Sequence, residues 1–363
     1  MTTAVRIAHK YLGRCAAVLW VLQATTGMLL VFHQPIDVPA LREFGSPAHL
    51  RSIDAALGVI SRRLPGSSVI EYFPAGGRAG QTDVLIASAG GKQDVVRLSD
   101  SDGTIVSVNA WESPWWRLGF FRLILLIHRE LLGGSTGRWL IAASGTLLAI
   151  NILMGLSLGW PPKGYWRAAL LPRRTKALTT AIWGWHRALG LWLAALGLIT
   201  ASTGALLAGT AGLQPDTIFE PSLSNGSPAP HTEAIPPSAA AGAALARYPD
   251  ATLSVVSLPN ASEPWYTIRV RRSDELRRVF GTTVVYVDPA NGRVIDSQDA
   301  TAASPGTRVL ADLYPIHTGE WGGVVTRLLA MTGGLWLATT AALGLTLWWA
   351  RRRARVSGRK SPC

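Results

Sequence analysis

Four of the seven histidines stand at repeated positions in the chain. His9 and His186 each open a His-x-x-x-Gly motif ending at Gly13 and Gly190, and the two lie 177 residues apart. Ala24-Thr-Thr-Gly27 matches Ala201-Ser-Thr-Gly204 at the same offset. His128 and His317 are 189 residues apart, and at that second offset Gly133-Gly134 meets Gly322-Gly323 and Arg138 meets Arg327. Gly145, Gly155 and Trp160 meet Gly334, Gly344 and Trp349 in the same way. Such internal self-similarity marks a duplicated unit.

Imidazole is a common ligand of metals and of haem iron near neutral pH. Two histidines from two helices can take both axial positions of one haem iron. Small residues such as Gly27, Gly145, Gly155, Gly204, Gly334 and Gly344 then let helices approach and leave room for a macrocycle. An interfacial histidine can equally be a hydrogen-bonding or snorkelling residue, and the histidines alone leave both readings open. His33 has no repeat partner, while His49 and His231 sit in loops and read as incidental. Arg129 and Arg187 directly follow a paired histidine. With Arg138 and Arg327 they are candidates either for haem propionates, whose geometry suits guanidinium, or for interfacial anchoring.

The elements that must position these residues read as membrane spans. Hydrophobic residues make up 48% of the 363, charged residues only 16%, and the mean hydropathy is +0.23; soluble domains carry about 25% charge. Residues 15–33, 139–160, 188–213 and 328–350 hold no charged side chain, and about 20 apolar residues suffice to cross a bilayer as a helix. The first stretch is too long for a signal-peptide core, and Phe32-His33-Gln34-Pro35 is not a small-residue cleavage site.

The net charge of +13 is concentrated, which argues against nucleic-acid binding. Residues 1–14, 161–181 and 351–363 carry 14 of the 35 Lys and Arg and no acid. An even number of spans separates these segments, so the positive-inside rule places all three, and both termini, in the cytoplasm. The predicted plan is a cytoplasmic 1–14, span 15–33, outer loop 34–117, interfacial helix 118–138 and span 139–160. A basic loop 161–181, span 182–213, outer loop 214–316, interfacial segment 317–327, span 328–350 and basic 351–363 complete it. Trp115, Trp116, Trp160, Trp166, Trp183, Trp185, Trp321, Trp348 and Trp349 fall at the predicted interfaces, as aromatic belts do.

Each outer loop reads as a small α+β domain. In the first, a helix at 49–64 precedes strands at 68–73, 83–87, 94–98 and 104–108. In the second, a Pro/Ser-rich linker leads to a helix at 238–248 and strands at 252–258, 265–270, 282–287 and 293–296. Asn291-Gly292 marks a hairpin tip. Cys15 and Cys363 are the only cysteines, which excludes a disulfide framework or a Cys-rich metal site.

The duplicated His-x-x-x-Gly and Thr-Gly motifs, the second histidine near Gly133-Gly134 or Gly322-Gly323, and the Gly-Leu-x-Leu-x-Trp endings at 155–160 and 344–349 resemble the PepSY-associated transmembrane family. Val285-Tyr-Val-Asp-Pro-Ala-Asn-Gly292 resembles a PepSY domain. The resemblance covers nearly the whole chain. It implies a four-helix, internally duplicated membrane bundle with two periplasmic α+β PepSY-like domains in the bacterial inner membrane. It also implies iron-related redox work: one or two b-type haems and reduction of a periplasmic ferric siderophore or other ferric chelate to release Fe(II).

Carried onto this chain, the resemblance puts an outer haem on His128 and His317, with His33 as a competing ligand, and an inner haem on His9 and His186. Arg129 and Arg187 would serve the propionates. The faces marked by His9 and His33 are 24 residues apart, about 36 Å along a helix, so either the macrocycles project toward the bilayer centre or only one haem is present. No Gly-x-Gly-x-x-Gly follows a strand, so the electron donor would be a membrane quinol or a redox protein. Two other readings stand beside this. A non-enzymatic PepSY-type binding or regulatory protein would tolerate loss of the histidines. An iron or siderophore transporter is disfavoured by the scarcity of polar groups at the span centres. No His-Glu-x-x-His is present, which disfavours a metalloprotease.

Overall fold

The computed structural model describes residues 2–31, 47–74, 80–88, 90–110, 120–172, 175–210, 234–277 and 280–358. In chain order the elements are α1 (Thr2–Leu30), α2 (Pro47–Arg63), β1 (Ser68–Phe73), β2 (Gln81–Ala87), β3 (Gln93–Ser99), β4 (Ile105–Ala110), α3 (Phe120–Glu130), α4 (Gly134–Gly159), α5 (Trp166–Leu170), α6 (Leu178–Trp192) and α7 (Ala194–Gly209). Then come α8 (Pro237–Arg247), β5 (Thr252–Ser257), β6 (Tyr266–Arg271), β7 (Thr283–Val287), β8 (Val294–Gln298), α9 (Pro305–Thr318), a 3-10 turn (Glu320–Gly322) and α10 (Gly323–Gly358). The chain divides into a helical unit and a sheet-bearing unit.

In the helical unit, Thr3–Leu30, Gly134–Gly159 and Glu320–Arg353 are each long and apolar enough to cross a membrane. Helices α6 and α7 qualify only as a pair, bent by 67°. The unbroken third span expected over 182–213 is therefore corrected to two helices meeting at Leu193. The cause is a side chain inserted into the helix ladder. The Trp336 indole N–H donates to the Leu189 carbonyl at 2.7 Å, leaving the Leu193 N–H to reach that same carbonyl at 3.4 Å. The ring lies where a side chain at Gly197 would be, since a Cβ there would stand 2.1 Å from Trp336 Cζ3. Gly197→Ala is expected to cost about 1–3 kcal/mol by overpacking, read as a lower thermal-unfolding midpoint in detergent. An unchanged midpoint would mean that the indole is not lodged there.

Helix α1 packs on α10, and α4 on α7. Glycines allow both approaches: a Cβ on Gly334 would meet Met28 Cγ at 2.6 Å, and one on Gly145 would meet Ala205 Cβ at 3.0 Å. Between α3 and α4 the chain reverses through Leu131 and Leu132, both at positive φ (49° and 61°). It passes so close that a Cβ on Gly137 would lie 1.7 Å from the Glu130 carbonyl oxygen. This reversal lays α3 against both α1 and α4.

In the sheet-bearing unit, the strands expected from two separate domains form one antiparallel sheet, in the order β4-β3-β2-β1-β5-β6-β7-β8. Each four-stranded meander would leave its first strand as an open edge, a ready template for another strand. Here β1 and β5 close on each other, with Glu71 opposite Ser257 and Tyr72 opposite Val256. The core is correspondingly continuous. Ile53 and Ile60 of α2 and the alanine face of α8 (Ala240, Ala241, Ala244) cover Val84, Ile86, Val96, Val256, Ile268 and Val285. Asp54 of α2 accepts hydrogen bonds from the backbone N–H and the hydroxyl of Ser238 in α8. The hairpin at Asn291-Gly292 forms as the sequence predicts, with Gly292 at φ 74° and its N–H donating to the Asp288 carbonyl.

Candidate functional site

The helical unit gathers the four repeated histidines into two facing pairs. The ring centroids of His9 and His186 are 6.3 Å apart, and those of His128 and His317 are 6.2 Å apart. Each pair takes one ring from either half of the chain.

One device holds all four rings. His9 stands against Gly155 of α4, His128 against Gly27 of α1, His186 against Gly344 of α10 and His317 against Gly204 of α7. A helical side chain covers the turn on the N-terminal side of its own Cα, so a glycine uncovers the carbonyl four residues before it. Those carbonyls receive the imidazoles. His9 Nδ1 lies 3.1 Å from Asn151 O, His186 Nδ1 3.0 Å from Thr340 O, and His317 Nδ1 3.1 Å from Thr200 O. The Gln23 carbonyl serves His128 in the same way.

A carbonyl oxygen only accepts, so each Nδ1 carries the proton and donates it. In the neutral rings Nε2 is then a bare lone pair in all four cases. Two such nitrogens cannot hydrogen-bond to each other, because neither holds a proton. They can bind one metal from opposite sides. With metal–imidazole bonds of about 2.0–2.1 Å and each nitrogen about 1.1 Å from its ring centre, the two centroids would stand roughly 6.2–6.4 Å apart, which matches both pairs. A backbone or side-chain acceptor on Nδ1–H is also the usual way a ligating histidine is oriented.

Among the described residues, no group of three or more His, Cys, Asp or Glu side chains converges as a metal cage. Two ligands per site suit a centre that brings its own remaining ligands, as a porphyrin does. Eighteen residues of α1 separate His9 from Gly27, the glycine under His128. The two levels are thus about 27 Å apart along that helix, closer than the two faces marked by His9 and His33. Trp20 of α1 lies between those levels. It is buried and donates its indole N–H to Ser144 Oγ at 3.2 Å.

Of the other sequence candidates, Arg129 stands 3.8 Å from the Glu130 carboxylate. Arg187 donates to the Gly159 carbonyl at 2.9 Å, with its guanidinium over the Trp183 ring. Arg327 is the buried arginine of the set, 3% exposed, and it donates to the Val31 carbonyl. His33 and His231 lie outside the described residues, as does the side chain of His49. The carbonyl acceptors carried no residue-type signal. The spacing of each acceptor four residues before a repeated glycine is the pattern that leads to them.

The sheet-bearing unit has a cleft of about 740 Å³ lined by Arg247, Tyr248, Asp250, Arg272, Asp299 and Thr307, which the sequence reading did not find. Arg247 and Arg272 both stand 5.2 Å from the Tyr248 ring centre, and Arg272 pairs with Asp250 and Asp299.

A family model described as the PepSY-associated TM region matches residues 6–351. No curated protein matches the chain.

Proposed function

The chain belongs to the PepSY-associated transmembrane family, and on that premise we propose that it is a haem-containing inner-membrane oxidoreductase that reduces a ferric chelate of the siderophore class. The observation that carries this reading is the pair of imidazole pairs, each at the spacing of two ligands on opposite sides of one metal. In this reading the duplicated bundle crosses the membrane four times, with α6 and α7 together as the third crossing. The basic segments lie in the cytoplasm, and the His128/His317 pair faces the periplasm.

His9 and His186 would hold one b-type haem, and His128 and His317 a second. When bound, such a group would supply reversible one-electron exchange. The protein's own part is to fix the rings. The four glycine-exposed carbonyls set the Nδ1–H tautomer and leave Nε2 as the free lone pair, and the apolar helices would keep water from the ligands. The cleft beside Tyr248 is where we place the chelate, since its volume falls in the range of small-molecule sites and its arginines suit acidic oxygen ligands. The ferric chelate takes up one electron, and hydroxamate or catecholate ligands hold the resulting Fe(II) weakly. The electron comes from a membrane quinol or a redox protein.

The test is the visible spectrum of protein purified in detergent after expression with ample haem, followed by pyridine haemochrome quantification. Two low-spin haems per chain are expected, with sharp α and β bands after dithionite. Anaerobic addition of a ferric hydroxamate to the reduced protein should reoxidise those bands and yield Fe(II) trapped by a ferrous chelator. A featureless spectrum would overturn the reading and favour a PepSY-type binding protein.

A further inference from the structure

The two histidine pairs share one scaffold and differ in the residue just before each supporting glycine. Under the His128/His317 pair these residues are Thr26 and Thr203; under His9/His186 they are Met154 and Leu343. Thr26 Oγ1 lies 2.9 Å from His128 Nδ1, and Thr203 Oγ1 lies 3.1 Å from His317 Nδ1. Both threonines are buried, at 3% and 9% exposure. Each hydroxyl has already given its hydrogen to its own helix, Thr26 to the Leu22 carbonyl at 2.8 Å and Thr203 to the Ile199 carbonyl at 2.7 Å. Toward the imidazole, therefore, each threonine is an acceptor only. Donating to the carbonyl also polarises the hydroxyl oxygen and makes it a better acceptor.

His128 and His317 thus share their Nδ1–H between a backbone carbonyl and a hydroxyl, whereas His186 faces the Thr340 carbonyl and His9 the Asn151 carbonyl with the Asn151 side chain beside it, neither with a threonine hydroxyl. A second acceptor on Nδ1–H pushes electron density through the ring to Nε2 and raises its basicity. A more basic ligand favours the ferric over the ferrous state. Resting on the haem reading above, we propose that Thr26 and Thr203 are positioning residues that hold the His128/His317 site at a lower reduction potential than the His9/His186 site. The more strongly reducing centre is then the pair that the proposed topology turns toward the periplasm, as suits a substrate whose tight Fe(III) binding makes it hard to reduce.

The test is a spectroelectrochemical titration of the α band, with the two components assigned from His317→Ala and His9→Ala proteins. In the wild type the component lost in His317→Ala should be the lower one. Thr26→Val together with Thr203→Val keeps the side-chain shape and removes both hydroxyl acceptors. It should raise that component alone by about a tenfold change in the oxidised-to-reduced ratio at fixed potential, roughly 59 mV for one electron. Thr26→Ser with Thr203→Ser should restore it. In the reverse direction, Met154→Thr should lower the other component, a readout that stands even where the valine variant loads poorly.

Haem present with both components unmoved in the valine and Met154→Thr proteins would overturn the inference and leave the haem reading intact. Absence of haem from the wild type would overturn both.

Discussion

His317→Ala should reduce low-spin haem in the purified protein to about half, with the other haem spectrally untouched. In the proposed site the ring would be one of two ligands, and no third His, Cys, Asp or Glu converges there among the described residues. Loss of one imidazole would therefore leave that centre without a replacement ligand among the described residues. His128→Ala should have the same effect. The double His128→Ala/His317→Ala variant should be no worse than either single one, because the two rings act on one centre. His9→Ala and His186→Ala should remove the complementary half, and His231→Ala should change nothing. Membrane insertion, followed by yield and gel filtration, should be preserved throughout. Unaltered spectra in the single and double variants would exclude these histidines as ligands.

The second large effect needs no change to any ligand. A methyl group added at each supporting glycine would meet His Cε1 at 2.7 Å for Gly204, 3.0 Å for Gly27, 3.1 Å for Gly155 and 3.4 Å for Gly344. The first distance is too short to persist, so the His317 ring must turn away and lose its Thr200 carbonyl. The last is ordinary contact. Alanine substitutions should therefore form a graded series. Gly204→Ala should approach the haem loss of His317→Ala, Gly27→Ala and Gly155→Ala should give partial loss, and Gly344→Ala should leave His186 in place. The readout is the low-spin fraction per chain. A flat series, or the largest loss at Gly344, would show that these glycines serve helix approach rather than ring placement.

Much of this arrangement was legible in one sequence because the chain states it twice. The offsets of 177 and 189 residues pick out His9, His128, His186 and His317 from seven histidines, and they include Gly27, Gly155, Gly204 and Gly344 among the glycines they match. Hydrophobic runs located the apolar helices, and period-two alternation located the strands, with β1 at its predicted bounds and the others displaced by at most two residues at either end. These signals are local. A helix or strand is written in side chains that are neighbours along the chain, and a duplication is a comparison of letters.

Tertiary structure decided the rest. The sheet edges β1 and β5 meet because each would otherwise be left unpaired, and nothing in either strand's own sequence names its partner. The break at Leu193 is imposed by Trp336, more than 140 residues away, competing for one carbonyl. Asn151 O, Thr200 O and Thr340 O hold histidines at separations of 142, 117 and 154 residues, and a backbone oxygen is the same whatever residue bears it. The sequence by itself determined which histidines and glycines belong together. The repeat and the predicted topology already paired His9 with His186 and His128 with His317; only tertiary packing set their rings 6.3 and 6.2 Å apart, because helix separation fixes ring-to-ring distance and no residue type encodes it.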